Sequence, residues 1–340
     1  NSDLDVDFSF AGLDSIDVFP NRKELRLRKD LINTFSGIQK RGVFSERELQ
    51  NIKCAIQLFY IKHLFFNRLL AGTNIKVAHF DNHYHRESLM LCLKRHNIIR
   101  HELQHGIIAE QDIFYVLPKA VEDIRDKALF SEKISLFGEH WRKILEKGSE
   151  YDPKNISIIG NYLTFNEELN DHDKISLQEF EKGHQLILIT TQRYLDVPFV
   201  KYTKYLSNYI LKHQLEYNII IKHHPLEDVK KYNEVHELPN VLCVTSDVNA
   251  LFQLAALHIS IYSTTLYDAL QFNLPNYSLY YSQCSDYVDE ILVQGISTKL
   301  EMNETPFDVK NQVKKQIDSA YYYDKLNLKI LDNYKQNLRE

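Results

Sequence analysis

The sequence predicts an α/β protein made of two parallel-sheet domains that face each other across a cleft. Three observations carry this prediction. Apolar runs of strand length alternate with helix-period patterns of about ten residues, which makes β-α-β units and hence parallel sheets. The alternation comes in two series, divided by a polar stretch at 166–184 that reads as a linker. The length, 340 residues, is that of two ordinary domains rather than one.

In chain order, the first 35 residues set an alternating stretch (Val6, Phe8, Phe10) among charged turns and read as one strand and a loop. Ile52, Ile56, Phe59, Tyr60 and Leu64 then recur at helical spacing over 46–70, and Gly72 closes the pattern. The first series follows, with strands at 75–80, around 98–99, at 134–137 and at 156–159, and helices at 87–94 and 140–147. The second series has strands at 186–190, 218–221, 241–244 and 258–262, and helices at 199–213, 249–256 and 266–272. Residues 309–338 read as one long amphipathic helix or two shorter ones. The expected division is a Rossmann-like domain over 1–165, a linker over 166–184, a second Rossmann-like domain over 185–320, and a C-terminal helix over 321–340 that packs back on the first domain.

Composition narrows the function. With 41 Lys and Arg against 46 Asp and Glu, the net charge is −5, which argues against a nucleic-acid partner. Any anion site must therefore be local. Glycine numbers 10, where average usage would give roughly 24. Neither G-x-G-x-x-G nor G-x-x-x-x-G-K-[ST] occurs, so the usual dinucleotide and P-loop cradles are absent. Cys54, Cys92, Cys243 and Cys284 form no C-x-x-C pair and read as core residues of a reducing compartment. No run of 18 apolar residues and no signal-like N-terminus is present, so a cytoplasmic protein is expected.

In open α/β sheets ligands bind beyond the carboxyl ends of strands, so polar groups directly after each predicted strand are the candidates. At 219–225, the apolar Ile219-Ile220-Ile221 runs into Lys222-His223-His224-Pro225. Pro225 fixes the backbone and holds His224 extended, with Lys222 two residues back on the same side. A cation beside an imidazole donor suits a phosphate; the alternative is a solvent-facing loop with incidental basic residues. At 259–265, Ile259-Ser260-Ile261-Tyr262 runs into Ser263-Thr264-Thr265 at a helix start. One hydroxyl there is explained as an N-cap, whereas three suit a phosphate or ribose.

The third candidate, His101-Glu102-Leu103-Gln104-His105-Gly106, spells H-E-x-x-H. On a helix this would place two imidazoles on one face for zinc, with Glu102 as the base of a hydrolase. Its flanks, Ile98-Ile99 and Ile107-Ile108, predict a strand instead. There His101, Leu103 and His105 share one face, and Glu102 and Gln104 the other. Asp81-Asn82-His83-Tyr84-His85, after the strand at 75–80, is either a metal-type set or a polar loop lining the same cleft. Tyrosines at 277–287 and 321–323 offer sugar-stacking faces or ordinary packing.

These elements, in this order, resemble bacterial glycosyltransferases of the GT-B architecture that build capsule and cell-surface polysaccharides. Gln104-His105-Gly106 is similar to the Gln-His-Gly element of capsule-type transferases. Lys222-His223-His224-Pro225 is similar to the His-Pro motif of bacterial sialyltransferases, polysialyltransferases and polyol-phosphate transferases, and Ser263-Thr264-Thr265 to their Ser/Thr motif. The resemblance spans about residues 75–275. It implies a transferase that moves a sugar from a nucleotide-activated donor to a hydroxyl of a bacterial surface glycan, by inversion. CMP-sialic acid or CMP-Kdo donors rank first, and UDP-sugars or CDP-polyols next. It gives His105 the role of base, shared by Glu102 if the strand register differs by one. Donor binding falls to Lys222, His224, Pro225, Ser263, Thr264 and Thr265, joined by Thr191 and Gln192 after the strand at 186–190. The sequence departs from the sialyltransferase pattern in lacking their acidic base motif and in reading Ser-Thr-Thr for Ser-Ser. No metal or other cofactor is required beyond the nucleotide-sugar co-substrate. Glycans of this kind are assembled at the inner membrane face, so peripheral contact there is expected, through Lys310, Lys314, Lys315, Lys325 and Lys329.

Overall fold

The computed structural model describes residues 22–116, 126, 129–149, 151–161, 168–309 and 318–327. The expected strand at Val6–Phe10 lies outside the described residues, as do Lys310, Lys314, Lys315 and Lys329.

Two helices come first, α1 (Arg22–Lys40) and α2 (Glu46–Leu70). The loop expected before residue 35 is instead the first half of α1. The helix is fastened by Glu24, a buried carboxylate that accepts hydrogen bonds from Arg68 and Asn67 of α2. Helix α2 opens on a capping box, with Ser45 and Glu48 bonding each other's backbone amides. Next come β1 (Val77–Phe80), α3 (Glu87–Arg95), β2 (Ile99–Leu103), β3 (Lys133–Leu136), α4 (Glu139–Gly148) and β4 (Ile156–Ile158). The four strands form one parallel sheet in the order β1-β2-β3-β4.

The chain continues through α5 (Asp171–Glu181), β5 (Gln185–Thr190), α6 (Asp196–Lys212), β6 (Tyr217–Lys222), α7 (Asn233–His236), β7 (Val241–Val244), α8 (Val248–Leu254), β8 (Ala255–Ser260), α9 (Thr264–Asp268), β9 (Asn276–Leu279), α10 (Ser285–Val293), β10 (Thr298–Leu300) and α11 (Ser319–Tyr322). Its six strands are all parallel, in the order β10-β9-β8-β5-β6-β7. Strand β5 is apolar on both faces because both are covered. Ile187 and Ile189 pack on Phe199, Tyr202 and Leu206 of α6, and Leu186 and Leu188 on Leu251 and Phe252 of α8. The chain winds outward in opposite directions from β5 and β8, so a crevice opens between their carboxyl ends.

Two features differ from the sequence reading. The stretch taken as a linker contains α5, and its polar residues cap and anchor that helix. Asn170 is the N-cap, accepting from the Asp173 amide at 2.8 Å. Buried Asp173 accepts from both the amide and the hydroxyl of Ser246 at 2.6 and 2.7 Å, and from the Thr245 amide at 2.7 Å. Burial pushes this carboxyl up, but the Ser246 and Thr245 bonds outweigh it and bring the pKa down to about 2. The second difference is at the C-terminus. Helix α11 ends at Tyr322, and residues 323–327 then run without helix along the first sheet; the remainder of the expected C-terminal helix, 310–317 and 328–340, lies outside the described residues. The Asp324 amide donates to Phe137 O at 2.8 Å and the Asn327 amide to Ile159 O at 2.8 Å. Glycine is required at 138, because a Cβ there would lie 2.5 Å from Tyr322 O.

Candidate functional site

The crevice at the end of β5 and β8 opens into a cavity of about 480 Å³. Thr190 and Thr191 enter it from β5, Lys222, His224 and Pro225 from β6, Thr245 and Asp247 from β7, and Ser263, Thr264 and Thr265 from β8. His105 reaches it from the first sheet. Eight of the ten site residues read from sequence therefore line one cavity: His105, Thr191, Lys222, His224, Pro225, Ser263, Thr264 and Thr265. Gln192 lines an adjoining cavity of about 510 Å³ that shares His224, Ser263 and Thr264 with the first. Glu102 lines neither.

The β6 exit sets a cation beside an imidazole donor, a pair whose chemistry suits an anion. The Lys222 ammonium donates to Thr245 O at 2.8 Å and keeps further protons for a ligand. Burial pushes its pKa down, against the pull of Asp247 and Asp173. His224 is oriented from both ends. Its amide donates to Glu227 Oε2 at 3.0 Å, and its Nδ1 accepts from the Leu226 amide at 3.1 Å. With Nδ1 accepting, the ring carries a proton on Nε2 and is a donor there. Glu227 also accepts from the Tyr232 hydroxyl at 2.7 Å and from Thr191. It braces the loop, and sequence reasoning missed it because its partners are brought in by the β5 and α7 segments.

At the β8 exit the three hydroxyls have different duties. Ser263 is the N-cap of α9, its Oγ accepting from the Thr265 amide at 3.3 Å while its own proton points elsewhere. Thr265 is committed inward by a buried chain. The Asn276 amide nitrogen donates to Leu266 O and Ile296 O, so its oxygen accepts from His258 Nδ1 at 2.7 Å. Burial pushes His258 down to about 4, so the ring is neutral and its Nε2 accepts from Thr190 at 2.9 Å. Thr190 then accepts from Thr265 at 2.7 Å. Ser263 and Thr264 remain as hydroxyl donors to the cavity, and Thr265 is a support. Helix α9 spans five residues before tightening to a 3₁₀ turn, so side-chain hydroxyls rather than a long helix dipole carry the site.

His105 sits on the turn after β2, exposed toward the cleft. Gln104 locks that turn: its Nε2 donates to Gly106 O at 2.8 Å and its Oε1 accepts from the Phe137 amide at 2.8 Å. The two sheets approach closely here, since a Cβ on Gly106 would meet Thr264 Cγ2 at 3.8 Å. His105 Nε2 is 3.2 Å from the Tyr84 hydroxyl, and Tyr84 lines the second cavity. Burial pushes the Tyr84 phenol up, so it stays neutral.

Glu102, the second candidate base, is fully buried. Its carboxylate accepts from His83 Nδ1 at 2.8 Å, Tyr115 at 2.5 Å, Ser131 at 2.7 Å and Tyr151 at 3.1 Å. It is a structural anchor, beyond reach of the cleft. The other ring nitrogen of His83 lies 2.9 Å from Phe114 O. H-E-x-x-H thus lies on a strand, with His101 and Glu102 on opposite faces, and His101 bonded to Ser135 at 2.8 Å. Burial pushes His101 down to about 3. Of the two readings of Asp81–His85, the polar loop lining the cleft fits: Asp81 pairs with Arg86, His83 with Glu102, and Tyr84 with His105, and Tyr84 lines the second cavity.

Two stacked aromatic pairs line the second cavity, Tyr84 on Phe114 at 4.6 Å and Tyr262 on Tyr287 at 5.0 Å. Tyr277 is core, and Tyr321 and Tyr322 pack on α4, with Trp141 Nε1 donating to Tyr322 O at 2.9 Å. Tyr323, one of the tyrosines read from sequence as stacking or packing residues, and Asp268, assigned no role from sequence, close the first cavity. Burial pushes the Asp268 carboxyl up to about 7, against a hydrogen bond from Tyr323.

No protein-family model matches the sequence, and no curated protein matches it. Solved structures do. MnaA of S. aureus, in a co-structure with UDP, aligns with a TM-score of 0.56 at 12% identity, over 82% of this chain and 79% of that one. The UDP-GlcNAc 2-epimerase of Methanocaldococcus jannaschii, in complex with UDP-GlcNAc and UDP, aligns at 0.52 and 14% identity, over 81% and 80%. A further UDP-N-acetylglucosamine 2-epimerase aligns at 0.52 and 13% identity, over 86% and 81%. At these identities the likeness is one of fold: two Rossmann-type parallel sheets facing a cleft, the GT-B arrangement. Among the described residues no helix is long and apolar enough to cross a membrane.

Proposed function

We propose that the chain is a glycosyltransferase that moves a sugar from a nucleotide-activated donor to a hydroxyl of a glycan acceptor. One observation carries this reading. An exposed imidazole from the first sheet, His105, meets a cation and an imidazole donor from the second, Lys222 and His224, in one cavity.

The donor phosphate lies at Lys222, His224 Nε2, Ser263 and Thr264. As the bond from the anomeric carbon to the phosphate oxygen breaks, charge grows on that oxygen, and these donors stabilise it in place without metal. The acceptor hydroxyl enters from the second cavity, where stacked aromatic faces suit sugar rings. It loses its proton to His105 as it attacks, since an alcohol is a poor nucleophile at neutral pH and an imidazole titrates near it. When Nε2–H is donated to the Tyr84 oxygen, Nδ1 holds the lone pair that takes that proton. Tyr84 thus positions the base at the junction of the two cavities. A single displacement of this kind inverts the anomeric centre.

The His-Pro and Ser/Thr resemblance favours a CMP-linked sialic acid or Kdo-type donor and a bacterial surface glycan, handled at the inner membrane face. A UDP-sugar stands beside it, because proteins of this fold from S. aureus and M. jannaschii carry UDP. The test is transfer from a panel of CMP- and UDP-sugars to glycan acceptors. His105→Ala is expected to abolish transfer while leaving nucleotide binding intact. Transfer by His105→Ala at the wild-type rate would overturn the reading. Conversion of a UDP-sugar to its epimer without acceptor would replace it with an epimerase.

A further inference from the structure

At the edge of the donor cavity, which His223 helps to line, three side chains that the proposed transfer does not use come together from three elements. His223 leaves β6 one residue before His224, His236 ends α7, and Cys243 lies on β7. The register pairs Ile221 with Cys243, and His223 lies two residues beyond Ile221, which brings it to the Cys243 face of the sheet. Helix α7 closes over that face, with Val235 packed among Ile219, Ile221 and Val241. The ligand atoms of the three residues all lie within 4.8 Å of one another. Nε2 of His223 and Nε2 of His236 are 3.3 Å apart. A tetrahedral ion with nitrogen ligands at about 2.0–2.1 Å holds them about 3.4 Å apart, so the imidazole pair already has the required separation. Among the described residues no other group of His, Cys, Asp or Glu is so gathered.

We propose that His223, His236 and Cys243 hold a zinc-type divalent ion. Two imidazoles and a thiolate are a borderline-soft set that suits zinc and excludes magnesium and calcium, which take oxygen. On binding, a metal–sulfur bond forms and the Cys243 thiol proton passes to solvent; no electron moves. The fourth position of the tetrahedron is open to water. The role is structural. The His223 ring lies 4.3 Å from that of Tyr232, tilted by 49°, the Tyr232 hydroxyl donates to Glu227, and Glu227 accepts from the His224 amide. An ion here would fix the loop that presents His224 to the donor.

The test uses the full chain. It is saturated with zinc, dialysed and assayed for metal, and separately titrated with cobalt(II) and followed by absorption. One zinc per chain is expected, with a thiolate-to-cobalt charge-transfer band. Cys243→Ser should lose the band and weaken metal binding by more than the 10- to 100-fold typical of supporting residues. His236→Gln should weaken binding similarly while circular dichroism stays native. A wild-type chain that retains no stoichiometric zinc and shows no thiolate band overturns the proposal. So does a Cys243→Ser chain that binds as the wild type does, since the metal would then lie on other histidines. The wild-type titration decides the matter even if both variants fold poorly.

Discussion

Asp268 gives the sharpest single test of how the donor cavity is built. Its carboxyl ends α9, is only 8% exposed, and faces the same space as Lys222 and Ser263. Burial raises its pKa from 3.8 to about 7. That difference is about three units, and at about 1.36 kcal/mol each it amounts to about 4 kcal/mol between the two protonation states. The sign follows from proton counting. The unfolded chain ionises this group near 3.8, whereas the folded chain keeps its proton until about 7. Between these values the folded state binds more protons, so stability falls as pH rises from about 4 to about 7, and the loss is complete above. Asp268→Asn keeps the shape and an acceptor for Tyr323 but cannot ionise. Urea unfolding at pH 5, 6, 7 and 8, followed by far-ultraviolet circular dichroism, is the assay. With the two proteins equal where the carboxyl is protonated in both states, below about pH 4, the variant should be the more stable by about 2 kcal/mol at pH 5 and by about 4 kcal/mol at pH 8. Phosphate affinity should follow the same course, weakening above pH 7 in the wild type and not in the variant. Parallel stability curves across that range would show instead that the burial of Asp268 carries no ionisation cost.

Three further outcomes are expected. Gln104→Leu should leave the Phe137 amide without its partner, lower stability by about 1–3 kcal/mol, and reduce transfer through a misplaced His105 while nucleotide binding persists; calorimetry and initial rates separate the two effects. Glu102→Gln should act on stability, lowering the melting temperature because four donors converge on that carboxylate, and a variant with unchanged melting but lost turnover would return Glu102 to the chemistry. Gly138→Ala should displace the Tyr321–Tyr322 backbone from α4, exposing it to limited proteolysis, and an unchanged digestion pattern would contradict that packing.

The parallel sheets were legible because their strands are continuous apolar runs punctuated by polar residues at the carboxyl ends. Ile219–Ile221 followed by Lys222 shows strand and site at once. His224 and Ser263 were found for the same reason: a strand end is a local feature. What sequence could not show is which neighbours a polar residue meets after folding. Glu102 looked chemical beside two histidines, yet the pleat turns it away from the cleft toward Tyr115, Ser131 and Tyr151, brought in from 13 to 49 residues away. Asp173 looked like linker polarity because Thr245 and Ser246, which bury it, lie more than 70 residues on. Glu227 and Asp268 were missed on the same grounds. Each is defined by a contact between elements, and nothing in its own segment marks it. Helix α1 was lost among charges, since Arg and Lys along an exposed helix mask its apolar spacing.

If Lys222 and His224 receive a nucleotide phosphate, nucleotide binding must depend on both side chains. Thermal unfolding with CMP, CDP, UDP and no ligand, on the wild type and on Lys222→Met and His224→Ala, tests it most directly. A ligand at 100 times its Kd stabilises a fold by about 2.7 kcal/mol. A shift of that size is expected with at least one of the three nucleotides, lost in both variants while their unliganded melting stays near the wild-type value. No shift with any nucleotide, or a shift that survives both substitutions, would contradict it.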